Sequence, residues 1–254
     1  MSTLLAAVDD DQCAEPVLRT SYVLASLIGA EVRVLHVCEP PAAGLPPALA
    51  ELDAKVEVTH GPAVDAIVGA ASGVDVVAVA LGTRGAPEGP QPAGHTALGV
   101  MARIDKPVAA VPPEARPLAN PMRLLVPLED GATLSEPMLR LVALARDGQL
   151  EIVVAHVHAR ETVPAFSDHA PHATIAWDRQ FLARHVGPPH QQITLQRRLG
   201  VPAEEICALA DSVRADLVVL TWGQDLSPGH AEVVIETLSH SGVSTLLLPT
   251  VERP

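Results

Sequence analysis

Gly82, Gly85, Gly94, His95 and Thr96 fall in one loop, Gly82-Thr83-Arg84-Gly85 to Gly94-His95-Thr96, between an apolar run and a helical one. The chemistry that suits them is anion binding. Glycines let the backbone approach a phosphate closely, and successive N–H groups at the start of a helix point at it. The same glycines would also serve a plain strand-to-helix turn, and both readings stay open. A second group is Asp9-Asp10-Asp11, directly after the apolar Leu4-Leu5-Ala6-Ala7-Val8. A carboxylate there can hydrogen-bond an adenine or ribose, or hold Mg²⁺ beside phosphates. Capping of the following helix is the other role open to this acidic run.

Other residues with chemical potential carry blander readings. His36 and His156 end equivalent apolar runs, which points to packing and backbone hydrogen bonding. His95 and His230 share that reading, with phosphate donation at a helix start as an added option. His158, Asp168, His169, His172 and His185 are irregularly spaced with no cysteine among them, so a solvated loop is expected and no metal site. Cys13, Cys38 and Cys207 show no C-x-x-C spacing and read as small buried hydrophobes, Cys13 being the one exposed enough to react. The motifs G-x-S-x-G, H-E-x-x-H and G-x-x-x-x-G-K-[ST] are absent, so no enzyme is expected, weak ATPase activity at most.

These residues must be positioned by a core that is 48% apolar yet only 2% aromatic, built from Ala, Val and Leu as parallel sheets faced by helices are. The net charge of −13 disfavours nucleic acid. No apolar run nears the roughly 20 residues that span a bilayer, and no signal peptide is read, so a cytoplasmic protein without membrane contact is expected. Val74 to Leu81, with only Asp75 charged, reads as a buried strand, and Ala97, Val100, Met101 and Ile104 as the helix after the loop. Glu15 to Ile28 and Ala63 to Ala71 read as helices. Val32 to Val37, a weaker run near Val56, and Pro107 to Val111 complete five strands.

After the proline-rich Pro112 to Pro117 the plan restarts. Leu124 to Asp130 matches Leu4 to Asp10, and His156-Val157 matches His36-Val37, both 120 positions apart. Gly200 with Ile206 repeats Gly61 with Ile67, and Asp216 to Gly223 repeats Asp75 to Gly82. This internal duplication predicts an α/β chain of two similar, doubly wound, parallel five-stranded Rossmann-like domains, at 1–115 and 120–254. The second carries a His-rich insertion near 159–190.

The order of these features resembles the universal stress protein family in its tandem two-domain form. The resemblance rests on Val8-Asp9-Asp10, Ile28-Gly29-Ala30-Glu31-Val32, His36-Val37, the G-x-x-G after the fourth strand, and Pro107-Val108. It implies a stress-related regulator that binds ATP, with Mg²⁺, or another adenine nucleotide in its first half. Asp9 would contact the base or ribose, the Val37 backbone the adenine, and Gly82, Gly85, Gly94 and Thr96 the phosphates. Nucleotide-binding members have nine residues between the second glycine and a Gly-Ser or Gly-Thr pair; here eight residues separate Gly85 from Gly94, and His95 stands where Ser or Thr is expected. Pro87, Pro90 and Pro92 also remove N–H donors. In the second half, Trp222 to His230 loses the G-x-x-G and puts Asp225 where phosphate would sit, so it is expected not to bind but to pair with the first half. Pairing of the halves through their last strands, a homodimer, and a nucleotide-free interaction module are the remaining expectations.

Overall fold

A computed structural model of the chain describes residues 1–9, 14–39, 46–50, 54–84, 93–129, 134–158, 171–226 and 231–250. Ten strands alternate with eight helices among them. In chain order these are β1 (Thr3–Val8), α1 (Ala14–Ile28), β2 (Glu31–Cys38), α2 (Pro47–Ala50), β3 (Val56–His60), α3 (Ala63–Ala71), β4 (Val76–Gly82), α4 (His95–Met101) and β5 (Val108–Val111). The second series is β6 (Met122–Pro127), α5 (Glu136–Arg146), β7 (Leu150–His158), α6 (Pro171–His185), β8 (Ile193–Leu199), α7 (Pro202–Ser212), β9 (Leu217–Trp222), α8 (Glu232–His240) and β10 (Ser244–Pro249).

The chain forms two compact units, one made of Met1–Leu118 with Thr221–Pro254, the other of Ala119–Leu220. In the first, the strands run in the order β3-β2-β1-β4-β5-β10. The first five are parallel, and β10 lies antiparallel to β5 through Thr245–Ala110, Leu246–Ala109 and Leu247–Val108. In the second, β9-β6-β7-β8 are all parallel. The order of β3-β2-β1-β4 is thus repeated by β8-β7-β6-β9, and the fold is the α/β, doubly wound one that the alternation of elements predicts.

Both sheets are filled by short aliphatic side chains, as a chain so poor in aromatics requires. Leu5, Val79, Ala80 and Val111 are sealed in the first unit, and Leu125, Val154 and Val218 in the second. Val74 is an exception to the expected strand. It stands fully exposed ahead of β4, because Val76 N–H bonds back to Gly73 in a turn and the strand begins two residues later. No described helix is long and apolar enough to cross a membrane.

Candidate functional site

β1 connects leftward to β2 and β4 rightward to β5, so their paired carboxyl ends mark the point where the winding of the sheet reverses. A crevice opens at such a point because the flanking loops leave in opposite directions. Here it is a cavity of about 250 Å³. Val8 and Asp9 border it from the end of β1, Leu35 and Val37 from one face of β2, Ala63 and Ile67 from α3, and Leu81 to Arg84 from the end of β4. Gly94 to Ala97, at the start of α4, form the last side. Of the residues that sequence reasoning marks as ligand contacts, Asp9, Val37, Gly82, Gly94 and Thr96 therefore share one cavity. Gly85, with Asp10, Asp11, Cys13 and the three loop prolines, lies outside the described residues.

The base of the glycine loop is tied shut. Thr83 N–H donates to Val111 O at 2.9 Å, and Gly94 N–H donates to Thr83 O at 2.7 Å. Gly94 sits at φ −62° and ψ 149°, a conformation open to any residue, so no turn demands a glycine at this position. What a side chain would alter is space, since a Cβ at Gly94 would lie 3.4 Å from Thr83 O.

His36 is buried in β2, and its Nδ1 lies 3.0 Å from Val8 O. A carbonyl only accepts, so Nδ1 carries the proton and the imidazole fixes the end of β1 just before Asp9. The duplicate keeps the device: His156 Nδ1 lies 2.9 Å from Leu128 O, with the same separation of 28 residues in sequence. The packing role expected for this pair is what the structure shows.

Arg84 is the residue that sequence reasoning passed over. It borders the cavity and its guanidinium is buried, donating to Leu238 O at 3.4 Å and Ser239 O at 3.3 Å and pairing with Glu114. It thereby serves carbonyls in the last turn of α8, which have no partner within the helix. The matching loop of the second repeat answers in kind. Gln224 Nε2 donates to Met101 O at 3.3 Å and to Ile104 O, at the end of α4. Gln224 reaches there from a left-handed backbone, φ 62°. The only signal for either role was position, just past the fourth strand of each repeat.

The expectation of a solvated loop across the insertion fails for 171–185, which form α6. Trp177 and Phe181 pack on β7, with ring centroids 5.6 and 4.8 Å from that of His156. Phe181 also meets His185 at 4.4 Å, and Arg197 lies over Trp177 while pairing with Asp178 at 3.0 Å. His185 is part of a packed crossover helix and His158 ends β7, and no group of three or more metal-ligating side chains exists among the described residues. Asp168, His169, Gly229 and His230 lie outside them. Cys38 is buried and Cys207 half-buried.

A family model described as the Universal stress protein family matches residues 122–250, just over half of the chain. No curated protein matches it. Among solved structures, a functionally unknown protein from Pseudomonas aeruginosa PAO1 superposes with a TM-score of 0.68 at 14% identity, covering 98% of this chain and 92% of its own. A universal stress protein from Archaeoglobus fulgidus DSM 4304 does so at 0.63 and 14%, covering 98% and 97%. At such identities the likeness speaks for the fold alone.

Proposed function

Since the chain belongs to the universal stress protein family, we propose that it acts as a non-catalytic, cytoplasmic regulator that binds an adenine nucleotide in the cavity between β1 and β4. One observation carries the reading: Asp9, Val37, Gly82, Gly94 and Thr96, drawn from four separate segments, border a single cavity. Its apolar side, Leu35, Val37, Ile67 and Leu81, suits the faces of a purine, which bury well against aliphatic side chains. Asp9 would accept a hydrogen bond from base or ribose, and the Val37 backbone would line the adenine. Gly82, Gly85, Gly94 and Thr96 would surround the phosphate end, the Gly94 N–H itself being given to Thr83 O, with Asp9 able to hold Mg²⁺ there if ATP is the ligand.

The test uses the intact protein. Titration with labelled ATP and AMP at low salt, together with extraction of any nucleotide released on denaturation, should reveal saturable binding below millimolar concentration. Absence of both would sink the reading. A nucleotide-free interaction module is the second reading, favoured by the bonds Arg84 makes to α8 and Glu114. It expects Asp9→Ala and Gly85→Val to leave biological function intact, whereas nucleotide binding requires them to abolish it.

A further inference from the structure

We infer that the second repeat holds a site for a free polar amino acid at the amino ends of β6, β7 and β8. Val153 pairs with Leu125 as Arg33 pairs with Leu5, so the two residues are equivalent in the duplication. Arg33 sends its guanidinium to the last turn of α3, where it donates to Ala70 O at 2.9 Å. Valine cannot reach so far. At the matching place in the second repeat a cavity of about 430 Å³ is bordered by Val153 and by Ser212, Val213 and Arg214 at the end of α7.

The border of this cavity offers an open cation and an open acceptor. Arg214 lies at φ 53° just past α7, where its N–H returns to Asp211 O and Ala215 N–H returns to Ala210 O. Glycine is the usual residue at that position, because a side chain strains the left-handed backbone. Arginine is thus kept against local preference, and its guanidinium makes no hydrogen bond or ion pair among the described residues. Asp216, two residues on, is given to the N–H groups of Ala119 and Arg123. Arg123 is spent on Val213 O at 2.6 Å and on Glu151, which receives Nε at 2.8 Å and Nη2 at 2.6 Å on the same oxygen, Oε2. Glu151 Oε1 therefore stays available as an acceptor.

Gln191, Gln192 and Thr194 add amides and a hydroxyl to the same border, over the apolar Val153. A fork for a carboxylate, an acceptor for an ammonium and neutral polar groups for a side chain together match an amino-acid zwitterion. A simple anion suits them less. It would face Glu151 and a chain of net charge −13, whereas a zwitterion has no net charge to be repelled.

Calorimetric titration of the full-length protein with L-glutamine, L-asparagine and L-serine tests the site. At least one of them should bind saturably below millimolar concentration. N-acetyl-L-glutamine, which lacks the ammonium, and L-leucine, which lacks a polar side chain, should each bind at least tenfold more weakly than the best of the three. Arg214→Gly relaxes the backbone, so it should melt no lower than wild type and yet lose at least tenfold in affinity. No binding by any of the three, a comparison compound binding as tightly, or unchanged affinity in Arg214→Gly overturns the assignment. None of these outcomes touches the nucleotide reading, whose cavity belongs to the other compact unit.

Discussion

Arg84 shows how one side chain can be diverted from the chemistry its position suggests. A guanidinium in a glycine loop invites a phosphate, yet here the planar fork spans Glu114 and two helix-end carbonyls at once. Arg84→Met should leave those carbonyls without a donor, while the part-exposed Glu114 regains water. The expected loss is about 1–3 kcal/mol in urea unfolding. Arg84→Lys keeps the charge but not the fork, and should fall between Met and wild type. Equal stability of all three proteins would show that the contacts contribute nothing. Position in the sequence disclosed that Arg84 lay beside the site; it could not disclose where the guanidinium goes, because Leu238 and Ser239 are more than 150 residues away. His36 was easier to read, since its repetition as His156 already spoke for structure.

At the scale of elements, two glycines at helix entries separate backbone need from ligand need. Gly61, ahead of α3, lies at φ 120°, which side chains rarely adopt, whereas Gly94 caps α4 in ordinary extended geometry. Gly61→Ala should therefore cost on the order of 1–3 kcal/mol. Gly94→Ala should stay within about 0.5 kcal/mol of wild type, the weaker cap being offset by a less flexible unfolded chain. Paired thermal melts and AMP titrations distinguish the roles: a Gly94→Ala protein that melts normally but binds tenfold more weakly marks a contact surface for the ligand. The strands and the helices α1, α3 and α4 were legible because their aliphatic periodicities are clean. α6 was not, because Trp177, Phe181 and His185 are spread among His172, Asp178, Arg179, Gln180 and Arg184, a mixture that reads as solvated until β7 supplies the surface they cover.

For the whole molecule, repetition revealed two copies of one plan, and a boundary in the linker followed naturally. The compact units divide otherwise: Thr221–Pro254 joins Met1–Leu118, and β10 pairs antiparallel with β5. That the last strands pair is as expected, whereas the antiparallel sense and the transfer of 221–254 to the first unit leave no local trace, since Val108 to Val111 would look the same with either neighbour. The consequence is testable with a fragment ending at Leu118. Deprived of β10 it would expose the edge of β5, whose four residues are all buried in the intact chain, and Arg84 would keep Glu114 but lose the carbonyls of Leu238 and Ser239. Such an apolar edge invites pairing with another copy. Size-exclusion chromatography should show the fragment as dimers or larger species, and a stable monomer would count against this role for β10.

The exchange of helix caps between repeats has a final implication. Arg84 of the first repeat closes α8, and Gln224 of the second closes α4. Between separate chains, each of those contacts would form only as often as two molecules meet. On one polypeptide the partner is always present, at an effective concentration of the order of millimolar for a short flexible tether. The integrity of both helix ends, and of the loop beside the cavity that shares Arg84, is thereby made independent of how much protein is present.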